Sequence, residues 1–167
     1  MSDGVRIEAT SETRRIIAGL SQSAKIDLRP TFKVIGIGYR KEVKQIFDRK
    51  QPRGKGLKWP ELSPTYKQWK DKNHPGAPLL VLSGALLRSM TVLGASGNIS
   101  DIRPTQATFG TLISYGQFHD DGTSKMPKRN FSEPSQRRLI IFKEQVERDL
   151  SNNFRRHGIE VRTGTLL

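Results

Sequence analysis

A chain of 167 residues is long enough to bury a core of its own and reads as a single domain. Its 29 basic and 16 acidic side chains give a formal charge of +13, and its apolar fraction is only 34%, a balance that favours association with polyanions or acidic protein surfaces. The absence of cysteine excludes disulfides and thiolate zinc sites, and no stretch matches a signal peptide or the roughly 20 apolar residues of a membrane span, so a soluble, cytoplasmically made protein is expected unless a particle carries it out.

Along residues 1–26 a short strand and a short helix are expected. Val5, Ile7 and Ala9 alternate with Arg6 and Glu8, and Ser11 then caps a turn whose apolar side is Ile16, Ile17 and Leu20. Residues 27–50 carry the clearest helix. Leu28, Phe32, Ile35, Tyr39, Val43 and Ile46 recur every three or four residues, with Asp27 as N-cap and Pro30 in the first turn, where its missing donor costs nothing. Gly36 and Gly38 each weaken that helix by about 1 kcal/mol relative to alanine. Either the helix is loose there or a neighbour packs against its backbone.

The stretch from Lys50 to Lys58 interleaves Lys50, Arg53, Lys55 and Lys58 with glycine and proline and reads as an exposed basic loop. Ser63-Pro64 opens a helix through Tyr66, Trp69 and Lys70, which Pro75-Gly76 and Pro78 terminate. The spacing of Tyr66 and Trp69 predicts burial against a sheet, ahead of base stacking. Ser83 is expected to cap a second short helix containing Leu86, Leu87 and Met90. Thr91 to Leu93, Ile99 to Arg103 and Ala107 to Thr111 read as strands of a small antiparallel meander. Tyr115 to His119 form one helical turn, followed by a polar loop from Asp120 to Lys125. A last helix occupies residues 134–157, with Leu139, Phe142, Val146, Leu150 and Phe154 on one face, and Gly158 stops it ahead of a tail at residues 158–167. The whole is α+β: a small antiparallel sheet packed with a long helix and shorter ones.

Catalytic patterns are missing from this order. Gly36-Ile37-Gly38 lacks the third glycine of a dinucleotide fingerprint, no Walker lysine follows a glycine loop, and Ser83-Gly84 is not a nucleophile elbow. His119 beside Asp120 and Asp121 is the sharpest metal idea, but adjacent side chains point apart and no second histidine follows at helical spacing. A non-catalytic chain without catalytic, cofactor-binding or metal residues is therefore expected.

Between residues 57 and 131 the chain resembles the phage virion-morphogenesis (tail-completion, head-tail joining) family. The resemblance rests on Trp59 with Leu62, then Pro64 and Thr65 before a lysine-rich helix holding Lys70, then Leu80, Ser83, Gly84 and Leu86. After the strands come Tyr115 and His119, Gly122, and Pro127, Arg129 and Phe131. The chain departs from the family in its basic loop before Trp59, which is often acidic or neutral in such proteins. The resemblance implies a small α+β fold without catalysis, and a ring of identical subunits in the virion neck or tail end. Its partners would be the head connector or adaptor and the tail tube or tail terminator, with no cofactor and no membrane. Lys50, Arg53, Lys55 and Lys58 would then touch channel DNA or acidic neighbours. The competing class is a basic nucleic-acid-binding domain with a packaging or regulatory role, using that loop and the aromatics of the following helix. A metal-dependent nuclease stands third, on His119, Asp120 and Asp121 alone.

Overall fold

The computed structural model describes residues 26–49 and 58–156, together with the backbone strand of residues 5–7. The helix expected after Ser11, the residues Lys50, Arg53 and Lys55, and the tail at residues 158–167 lie outside the described residues.

Helix α1 (Arg29–Arg49) forms the axis of the fold. Every member of its predicted stripe is buried, from Leu28 through Ile46, and Phe47 extends it. Each such side chain contributes about 1.5–3 kcal/mol relative to exposure. Leu28 takes the N-cap position, its carbonyl accepting the Phe32 amide at 2.9 Å. Asp27, expected there, lies one residue earlier and accepts the Arg29 amide at 3.0 Å. Its hydrogen-bonded ion pair with the Arg29 guanidinium lowers the Asp27 carboxyl to about 2.

The two glycines of α1 answer the question their presence raises. A Cβ at Gly36 would lie 2.7 Å from the Phe109 ring, and one at Gly38 would lie 3.2 Å from the Phe142 ring. Close packing, not looseness, keeps these positions small: the sheet leans on one and the last helix on the other.

Helix α2 (Pro64–Asn73) and helix α3 (Ala85–Thr91) follow. Strands β1 (Val5–Ile7), β2 (Asn98–Ile102) and β3 (Ala107–Thr111) form one antiparallel sheet in the order β1-β3-β2. Registers run Val5 opposite Phe109 and Ser100 opposite Phe109, so β3 is the central strand. The expected meander is corrected in two respects. Thr91 belongs to α3, where its hydroxyl bonds the Leu87 carbonyl at 2.6 Å and Leu86 and Met90 are buried one turn apart; Val92 and Leu93 only turn the chain. The third strand comes instead from the N-terminal segment, on the far edge of β3.

Helix α4 (Tyr115–Asp121) absorbs Asp120 and Asp121, which were expected in a loop. The Asp120 carboxylate accepts the Phe131 amide at 2.9 Å and the Ser132 amide at 3.3 Å, so the supposed loop residue is an anchor for the returning chain. Helix α5 (Gln136–Arg156) lies against α1 through Phe142, whose ring meets Gly38, and buries Phe154 further along. Two polar ties fix the pair. Thr31 donates to Asp149 at 2.8 Å, and the fully buried Glu42 receives the Ser135 hydroxyl at 2.7 Å and the Arg138 guanidinium at 3.1 Å. The Glu42 charge thus sits at the first turn of α5, where the helix dipole favours an anion.

Candidate functional site

Helices α2, α3 and α4 and the segment 125–129 surround a cavity of about 560 Å³. Ten of the residues that carry the family resemblance face it although they are spread along the chain: Leu62, Lys70, Leu80, Ser83, Gly84, Leu86, Tyr115, His119, Pro127 and Arg129. Proximity of these positions is not a property of any single element. It follows from α2, α3 and α4 converging on one recess.

Each wall is locally determined. Pro64 starts α2 without an unsatisfied donor, and Lys67 bonds back to the Ser63 carbonyl at 2.8 Å; the Ser63 side chain makes no cap bond. Gly84, with φ of 75°, is the N-cap of α3, and Ser83, expected there, precedes it and accepts the Ala85 amide at 3.3 Å. A left-handed N-cap suits glycine, which explains the Ser-Gly order. Pro78 to Val81 form a turn closed at 3.0 Å, with Leu80 at φ of 65° in its third position. Glycine is the usual residue in such a turn, and a left-handed leucine costs about 1–2 kcal/mol. The Lys70 ammonium holds this turn by donating to the Pro78 carbonyl at 2.6 Å.

Beneath the apolar walls lies basic chemistry. Lys70 and Arg129 are only 4% and 3% exposed, which the lysine-rich look of the sequence does not suggest. Arg129 donates through Nε to the Pro60 carbonyl at 3.0 Å and through Nη2 to the Glu61 carbonyl at 2.9 Å, tying the chain ahead of α2 to the segment after α4. Burial lowers the guanidinium's affinity for its proton, partly offset by Glu61. His119 is half-buried, its Nδ1 without a hydrogen-bond partner and its ring edge-on to Tyr115 at 6.1 Å.

Burial first, then Arg129 and Lys70, push the His119 imidazole below its ordinary value. A histidine held neutral in the fold but free to protonate in the unfolded chain lowers stability as pH falls below about 6.5, and has no such effect above it. The urea midpoint of His119→Gln should therefore fall less steeply than that of the wild type between about pH 6.5 and 5. Equal slopes would contradict this assignment.

The remaining motif residues are architectural. Trp59 is buried, donates its indole N–H to the Asn130 carbonyl at 3.1 Å, and meets Phe47 edge-on. Phe131 is buried against Phe47 at 5.5 Å. Gly122 has φ of 79°, and a Cβ there would lie 2.7 Å from the Lys128 amide nitrogen. Gly122→Ala should lose about 1–3 kcal/mol in urea unfolding, because both the backbone conformation and the space forbid a side chain. An unchanged midpoint would show that the 122–128 turn relaxes freely.

The structure corrects the reading of Tyr66 and Trp69. They are 42% and 45% exposed and stack on each other at 5.5 Å instead of packing on the sheet. Of the four basic loop residues singled out, Lys58 is described and is exposed. His119, Asp120 and Asp121 do not assemble a metal site, and no metal-binding cluster of histidines and carboxylates occurs among the described residues. Nor is any described helix long and apolar enough to cross a membrane.

Fold and groove together define a small α+β domain with an apolar, basic-floored recess. The chain is similar to a phage-related protein, the Mu-like prophage FluMu G protein 1 of Haemophilus influenzae: 34% of 103 aligned residues are identical. The alignment takes in 60% of this chain and 64% of that protein, so the chain spans less than two thirds of its relative. No family model and no solved structure matches the chain.

Proposed function

We propose that the chain is a non-enzymatic phage virion assembly protein that completes the tail or joins it to the head, working as a ring of copies between the connector and the tail. The observation that carries this reading is the gathering of the family-like residues, from Leu62 to Arg129, around one recess. Similarity to a prophage protein supports it. The recess offers a binding surface without a nucleophile-base pair, and Lys70 and Arg129 spend hydrogen bonds on backbone carbonyls that hold its walls. A closed ring of one chain uses heterologous contacts whose rotation closes. Light scattering across a concentration series tests the ring: a discrete oligomer supports it. A chain that stays monomeric at high concentration and also fails to join purified heads or tails contradicts it.

A nucleic-acid-binding role is the second reading, favoured by the exposed Tyr66–Trp69 stack on a helix that also presents Lys67 and Lys72 to solvent. Aromatic faces beside lysines suit single strands. Tight single-stranded DNA binding that collapses with salt and is lost in Trp69→Ala would favour it over the ring.

A further inference from the structure

We propose that the recess between α2, α3 and α4 receives an apolar peptide segment bearing a carboxylate, supplied by a different protein of the particle. This rests on the assembly reading and names the chemistry of the partner.

The size and lining define the apolar part. A volume of about 560 Å³ suits a few large side chains, within the range of about 300–1,000 Å³ usual for ligand recesses. Leu62, Val81, Leu82 and Met126 contribute aliphatic surface, and Tyr66 and Tyr115 stand at the opening, 42% and 43% exposed. Leu82 is also 45% exposed, so this apolar surface has no cover among the described residues. Half-exposed tyrosines beside aliphatic walls are the residues that anchor protein interfaces.

The charge is supplied from one direction only. Lys125, Arg129 and the carbonyl-bonded Lys70 line the recess beside the neutral His119, and among the described residues no carboxylate does. Arg129 uses Nε and Nη2 on the Pro60 and Glu61 carbonyls, and its other guanidinium N–H groups have no described acceptor. Lys125 is exposed, able to meet an incoming anion before it is seated. A carboxylate on the bound segment would complement this array, whereas a cationic segment would be repelled. A second copy of this chain brings 29 basic against only 16 acidic side chains, so an acidic segment of a different protein fits this array better, whatever face the ring contacts use. Nucleic acid could satisfy the charges but would leave the aliphatic walls uncovered. Leu80 adds a mechanical argument: its left-handed backbone stands at the wall of the recess, and strained residues collect where a ligand is clamped.

The test uses the full chain, labelled with nitrogen-15, and three capped pentapeptides: Ac-Glu-Leu-Phe-Glu-Leu-NH2, its Gln-for-Glu analogue and its Lys-for-Glu analogue. The acidic peptide should shift the amides of Leu82, Tyr115, His119 and Lys125. It should bind at least about tenfold more tightly than the Gln analogue, a difference equivalent to about 1.4 kcal/mol. The Lys analogue should not bind, and Lys125→Glu should weaken the acidic peptide about fivefold or more while circular dichroism stays unchanged. Equal binding of the acidic and Gln peptides, shifts confined to another surface, or the same shifts from single-stranded DNA would overturn the proposal. So would equal shifts from sodium phosphate alone, which would make the recess a simple anion site. If the acidic peptide fails while inactivating the gene still blocks completion of particles, the groove assignment falls and the assembly reading stands. If inactivation leaves particles complete, the assembly reading falls, whatever the peptide does.

Discussion

Phe131→Ala is expected to cost about 3–5 kcal/mol, the usual loss for removing a fully buried phenylalanine. Phe131 is 2% exposed, and its ring packs at 60° to Phe47 of α1 with centroids 5.5 Å apart. It also reaches Gly116 of α4, where a Cβ would lie 3.7 Å from the ring tip. Removing the ring therefore opens a void between α1 and α4, which the surrounding helices can close only by shifting. Domains are stable by about 5–15 kcal/mol, so this one change consumes a large fraction of the total. Urea unfolding at neutral pH measures it. A loss below about 1 kcal/mol would mean that α4 is not held against α1 as described.

Glu42→Ala is the second large effect, expected at about 3 kcal/mol. Glu42 has no exposed surface, and its carboxylate is the common acceptor for the Ser135 amide, the Ser135 hydroxyl and Arg138. Losing it strands a serine hydroxyl and a cation at the first turn of α5. Breaking one side of a buried pair costs about 3–5 kcal/mol, and the lower end applies because the Arg138 side chain keeps 25% exposure and can turn to water. Replacing Glu42 by Gln should recover part of the loss, since an amide oxygen still accepts from Ser135. If Glu42→Ala unfolds with the wild-type midpoint, α5 is not docked through this cluster.

These two residues differ in how well the sequence announced them. Phe131 stands at a motif position and reads as an apolar anchor ahead of the last helix. Glu42 does not: it falls within a helix between Tyr39 and Val43, and its partners lie 93 and 96 positions away. Periodicity finds the stripe Leu28 to Ile46 because helical geometry is local, and it finds α5 for the same reason. It cannot find which cations are buried, and nothing local in the sequence marks Lys70 and Arg129 as such.

The misreadings share that cause. Thr91, Val92 and Leu93 have strand-like composition, yet burial of Leu86 and Met90 keeps the chain helical through Thr91. Tyr66 and Trp69 have core-like composition and spacing, but α2 turns Lys70 inward and leaves the aromatics to stack on each other. The alternation of Val5 and Ile7 was legible as a strand; its pairing with β3, over a hundred residues on, was not. Leu80 shows the limit most plainly, since nothing about a leucine signals a positive φ. Motif order was informative where local pattern was not, because the spaced residues report a tertiary arrangement.

The measurement that bears most directly on the proposed assembly role is electron microscopy of particles made by the phage or prophage carrying this gene, with the gene inactivated and then supplied again. The account predicts filled heads and separate tails in its absence, and joined virions when the wild-type chain is restored. Complete, tailed virions without the chain would contradict it.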